Sequence, residues 1–211
     1  MIHLKKKAAK ITILASLVIL LASSIVVGAT YSLWSSKTTI ETHLTSGNLK
    51  LKLERTKLTK CKLAEGTGYL VTSNDDVIKD FTNTTQATDN IFDIESGELV
   101  VPGSYYEATL KLSNVGTVAF DYTVSLKVTD EDVAELAKQI NVYFDDVDKG
   151  YLYTDSNNGE FEIKQGSMSK EDTAVIFKVK VEFKDLDTNN EAMDQSVKFD
   201  LKVNATQKIA K

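Results

Sequence analysis

The chain has 211 residues, 25 Lys+Arg against 30 Asp+Glu, and a net charge of −5. Lys5, Lys6, Lys7 and Lys10 stand together near the start with no acid among them, so the rest carries 21 basic and 30 acidic residues, a balance of −9. That excess of acid argues against a nucleic-acid partner, and a hydrophobic content of 42% suits a packed core rather than a disordered chain.

The four lysines lead into an apolar run from Ile11 to Ala29, which exits through Gly28-Ala29-Thr30-Tyr31-Ser32-Leu33-Trp34. A basic start, an apolar core and small residues at the exit are the parts of a secretory leader. Signal peptidase accepts small side chains at the first and third positions before the cut. Thr30 and Ser32 fit, so residues 1–32 are expected to be a signal peptide and Leu33 the first mature residue. Uncut, the same run is long enough to anchor the chain in a bilayer. In either form the lysines stay inside and residues 33–211 lie outside, so the membrane is met only through the leader. The single cysteine, Cys61, excludes an internal disulfide and stands too far from the apolar run to accept a lipid.

Trp34, Ser36, Thr38, Ile40, Thr42 and Leu44 alternate with polar residues and predict a strand over 33–45. After a turn at Ser46-Gly47-Asn48, Leu49, Leu51 and Leu53 alternate with Lys50, Lys52 and Glu54 as a half-buried strand. Residues 55–90 are rich in turn residues and are expected to be a variable insertion. Ile91–Ile94 reads as a short strand, and Val101-Pro102-Gly103-Ser104 as a turn with the only proline. Tyr105–Ser113 and Thr117–Val128 read as a hairpin across Asn114-Val115-Gly116. Thr129 can cap a helix with acids in its first turn, and Val133, Leu136, Ala137 and Ile140 keep helical spacing, which predicts a helix over about 130–141. A second hairpin is expected across Asp155–Gly159, and strands over 174–183 and 197–205. Many short strands with one lateral helix predict an antiparallel β-sandwich filling residues 46–211.

Three stretches resemble the TasA/camelysin family of secreted Gram-positive proteins. One is the leader exit with Ser46-Gly47-Asn48-Leu49-Lys50-Leu51. The second is Val101-Pro102-Gly103 through Asn114-Val115-Gly116, similar to "L-x-P-G-D … N-x-G". The third is Val197–Gln207, similar to a closing "F-x-A-T-Q" strand. Ser104 replaces the family's aspartate and Val203 its phenylalanine. The resemblance implies a jelly-roll-like sandwich exported to the cell surface. It implies self-association into biofilm-matrix fibres, in which the first strand of one subunit (Leu33, Trp34, Thr38, Ile40 and Leu44 in this chain) completes the sheet of the next.

Some members of that family have been described as metallopeptidases. A catalytic zinc site uses three protein ligands, histidine prominent among them, and His43 is the only histidine beyond the leader. No metal, cofactor or catalytic residue is therefore expected. Asp145, Asp146, Asp148, Asp155 and Asn157 are oxygen-rich but lack the spacing of a calcium hand. The expectations are a structural subunit, with a membrane-anchored monomeric binding protein or a metallopeptidase as the alternatives.

Overall fold

A computed structural model describes residues 32–43, 48–64, 69–81, 90–94, 99–129, 135–172, 174–192 and 195–208. The described strands are β1 (Ser32–His43), β2 (Leu51–Leu63), β3 (Leu70–Asp75), β4 (Lys79–Asp80), β5 (Leu99–Val100), β6 (Tyr105–Asn114), β7 (Phe120–Val128), β8 (Ile140–Phe144), β9 (Val147–Tyr151), β10 (Glu160–Met168), β11 (Val175–Phe183) and β12 (Ser196–Gln207). They form two sheets, ordered β10-β7-β12-β1-β5 and β3-β2-β6-β11-β8-β9, with β4 beside β2. Every pairing is antiparallel except β1 with β12. The chain is an antiparallel β-sandwich.

Alternation builds the core from both sheets. Tyr106, Ala108, Leu110 and Leu112 of β6 are fully buried on one side. Val197, Phe199, Leu201, Val203 and Ala205 of β12 are buried on the other. Leu51, Leu53 and Arg55 of β2 share an inward face, after which a bulge between Arg55 and Lys57 inserts one residue and resets the face at Leu58. Residues 55–63 are thus the second half of a thirteen-residue core strand, and the stretch expected as an insertion starts inside the sheet.

Three local expectations are corrected. Tyr105–Val128 is not a hairpin: β6 and β7 lie in different sheets, and residues 115–119 cross between them. The segment across Asp155–Gly159 also changes sheets, from β9 to β10. The true hairpin there is β8–β9, turned by Asp145 and Asp146, both at positive φ (46° and 65°). Ile91-Phe92 is a turn rather than a strand, closed by the Asn90 side chain on Phe92 N and Ile94 N.

The helix expected over 130–141 is, in its described part, a single 3-10 turn at Glu135–Lys138, and β8 opens at Ile140. Leu136 and Ala137 are buried as their spacing required. The carbonyls that a continuing helix would use are taken from outside. Tyr153 N donates to Ala137 O, Lys184 N to Gln139 O, and Leu152 N to Ile140 O. Residues 130–134 lie outside the described residues.

The crossing loop at 115–119 grips the root of β2. Val115 N donates to Lys50 O and Thr117 N to Asn48 O, while Asn48 N donates to Thr117 Oγ1. A Cβ on Gly116 would stand 2.2 Å from Asn48 O and 2.6 Å from Lys50 N, both backbone atoms that cannot turn away. Two of the motifs singled out in the sequence, 46–51 and 114–116, are therefore one contact. Gly116→Ala is expected to cost about 1–3 kcal/mol through this overpacking, whereas the exposed neighbour change Val115→Ala stays within about 0.5 kcal/mol. Urea midpoints of the two variants check it; equal midpoints would contradict the contact.

Candidate functional site: the first strand and its seat

β1 lies between β12 and β5. Eleven residues pair with β12 in parallel, from Leu33 beside Ser196 to His43 beside Thr206. On the other side, among the described residues, Ser32 and Leu33 alone are covered, by Val100 and Leu99. The predicted strand therefore exists over Ser32–His43, with the expected first mature residue, Leu33, second in it. Thr30 and Leu44 lie outside the described residues.

The register shows where the sequence periodicity falls. Trp34, Ser36, Thr38, Ile40 and Thr42 stand beside Val197, Phe199, Leu201, Val203 and Ala205. These five β12 residues are the ones buried in the core. Trp34, Thr38 and Ile40, three of the residues expected to serve assembly, thus share one register set, and Leu33 and His43 fall in the other. The next described strand after β1 is β2 in the opposite sheet, whose root is tied at Asn48 and Lys50.

A polar cluster that sequence reasoning missed supports the seat from below. Phe92 is buried between the sheets, its ring 6.3 Å from Phe199 and 6.4 Å from Tyr106. Its loop is held by Arg55, which is 1% exposed. The guanidinium donates to Ile91 O at 3.1 Å and to Asp93 Oδ2 at 2.7 Å. Lys79 Nζ reaches Asp93 Oδ1 at 2.8 Å, and Lys60 Nζ donates to Asp93 O at 2.6 Å. Asp93 itself sits at φ 47°, a conformation aspartate tolerates better than most residues. The available signal was parity: Arg55 stands two residues after Leu53 on the inward face.

The other clusters weighed in the sequence find local partners. Asp145 N donates to Lys178 O, and Lys178 N donates back to Asp145 Oδ1, so this carboxylate extends the sheet ladder. Asn141 Nδ2 and Gly150 N both donate to Asp148, and these bonds hold its carboxyl below its ordinary pKa. Asn157 Oδ1 accepts from Thr154 N and Gly159 N. Among the described residues, no group of three or more His, Cys, Asp or Glu side chains is placed to hold a metal. Tyr106 and Tyr122 are core residues. Tyr105 and Tyr143 flank Lys180 Nζ, at 5.1 and 4.1 Å from their ring centres.

Two further placements bear on the sequence reading. Ser104 Oγ accepts from Val101 N and so closes the Val101–Ser104 turn expected around the proline. No described helix is long and apolar enough to cross a membrane. No known protein family, curated protein or solved structure matches this chain.

Burial by itself would raise the Asp93 pKa. The hydrogen bonds and charges of Arg55 and Lys79 outweigh it and hold the carboxyl below its ordinary 3.8. A carboxyl depressed in the folded state contributes stability that is present above its unfolded pKa and is lost as pH falls through the folded one. The prediction is a loss of stability below about pH 4, shallower in Asp93→Asn. Urea midpoints between pH 6 and pH 2 read it; identical slopes in wild type and variant would contradict it.

Proposed function

We propose that this chain is a secreted structural subunit of extracellular biofilm-matrix fibres, assembled by donation of the first strand to the next subunit. The observation that carries this reading is the position of β1. It fills a slot in a sheet whose other strands all come from residue 99 onward, in parallel register with the last described strand, β12, and is followed by a segment rooted at Asn48–Lys50. A seat of that kind accepts the same strand from its own chain or from a neighbour. Exchange that runs head to tail without closing generates a filament. The resemblance to the TasA/camelysin family in the leader exit, the Pro102-Gly103 turn and the final strand supports the same reading.

Energetics put the decision on side chains. Each ladder hydrogen bond contributes on the order of 0.5–1.5 kcal/mol net, and fixing each donated residue costs about 1–2 kcal/mol of backbone entropy. The ladder alone is close to neutral. Trp34 and Ile40, the large apolar members of the register set beside the buried face of β12, supply the remainder.

A membrane-anchored monomeric binding protein is the second reading. The pairing of β1 within its own chain favours it, because a β12 edge already filled by its own chain needs no strand from a neighbour. No metal or cofactor enters either reading, and the chain is read as a non-enzyme that meets signal peptidase only during export.

Removing residues 33–41, or changing Trp34 and Ile40 together to Ser, is expected to leave a folded domain that stays monomeric. The separate 33–44 peptide should bind the truncated domain. Sedimentation of intact and truncated mature chains tests this; polymers of the same size from both would remove strand donation.

A further inference from the structure

Eight large hydrophobic residues are exposed among the described residues, and five of them (Tyr69, Leu70, Val71, Val77 and Ile78) fall in one ten-residue stretch. That stretch carries β3, which forms one end of its sheet and, among the described residues, pairs on one side only, with β2. Both faces of β3 are exposed along most of its length, so the β2–β3 ribbon projects beyond the sandwich.

An open edge presents main-chain donors and acceptors to any passing strand, and soluble proteins blunt such edges with charge, bulges or shortness. The far edge of the same sheet, β9, is blunted in this way. It has five residues, contains Asp148 and Lys149, and is bulged against β8. β10, an edge of the other sheet, carries Glu160, Glu162 and Lys164 and a bulge against β7. β3 has no bulge and no charge before its last residue. Its ladder with β2 runs from Leu63–Leu70 to Leu58–Asp75 without a register shift, and its only charge is the terminal Asp75.

We propose that the β3 edge is a self-association surface that pairs antiparallel with β3 of a second copy, about a two-fold axis at Val71. The acids choose both the occupant's register and its kind. With Val71 opposite Val71, Leu70 meets Thr72 and Tyr69 meets Ser73, and the ladder between the copies is uncharged. The two Asp75 side chains then stand about 27 Å apart along the strands, beyond the ~8 Å screening length at physiological salt. The register that sets Leu70 opposite Asp75 instead places a carboxylate against a leucine. Asp75, Asp76 and Asp80 outnumber Lys79 in the same stretch, and Lys79 is itself paired with Asp93, a balance that does not attract an anionic lipid surface. Identical edges satisfy each other across a two-fold axis without a second protein. This surface is separate from the first strand, and it holds for a monomer or for filaments lying side by side. In filaments each subunit contributes one edge, so a weak contact repeats and gains avidity.

The test uses the complete mature chain with Cys61→Ser, which removes the one buried thiol. Val71→Cys places two sulfurs on the axis, where paired Cα atoms are about 4.5–5.5 Å apart and within disulfide reach. Asn74→Cys on the same strand and Val147→Cys on the β9 edge are the controls. Oxidation should link chains rapidly at position 71 only, and the link should vanish in samples carrying Leu70→Lys as well. Equal linking at all three positions, or none at 71, would overturn the proposal. Co-sedimentation with phosphatidylglycerol vesicles without a link at 71 would assign the surface to a membrane and overturn it equally. The link is read on polymerised and unpolymerised material separately, so a failure of strand donation leaves this result legible.

Discussion

β12 is the strand on which the fold depends, because it needs a partner on each edge. Five of its residues, Val197 to Ala205, lie in the core, and β7 covers only one side. On the other side the main-chain donors and acceptors are met by β1. Remove β1, and an edge in the middle of a sheet is open to any strand that fits. Polar main-chain groups buried beside an apolar core cost free energy when unpaired, so the seat is a standing demand for an extended segment of matching register.

The rest of the structure makes that demand specific. Gly116 lets the crossing loop close on Asn48 and Lys50, which fixes where β2 begins and hence the length of chain between strand and sandwich. Arg55 holds the 90–94 loop, and Phe92 from that loop packs against Phe199 beneath the seat. A buried arginine is costly unless its charge is matched. Here Asp93 matches it, with Lys79 and Lys60 turned to the same residue. The polar cluster therefore secures the position of the loop more than it adds to overall stability.

The sequence made the faces of the strands legible and left their partners hidden. β6 and β12 bury every second residue, and β11 does so from Phe177 on, while in β7 Ser125 is buried between Val124 and Leu126; strand character is legible because period-two burial is a local property. Partnership is not local. Loop length suggested hairpins at 115–119 and 155–159, yet both segments cross between sheets, since each strand buries its apolar face against the opposite layer. The Arg55/Lys57 bulge hid the second half of β2 by shifting the alternation by one residue. The 130–141 stripe predicted burial of Leu136 and Ala137 but not the strand and loop amides that claim the carbonyls of Ala137, Gln139 and Ile140. The strand character of 33–43 was legible from its β-branched alternation; its parallel pairing with β12 was not, because nothing in residues 33–43 refers to residues 196–206.

The central claim is that β1 fills the β12 seat of a neighbour in the register seen within one chain. The direct measurement mixes two mature chains lacking Cys61, one with Ile40→Cys and one with Val203→Cys, and oxidises them after assembly. Ile40 and Val203 are register partners, so the account predicts a disulfide between the two different chains, with far less when Glu41→Cys replaces Ile40→Cys. A link that forms readily when one chain carries both cysteines, but never between chains, would contradict strand donation and leave a closed monomer.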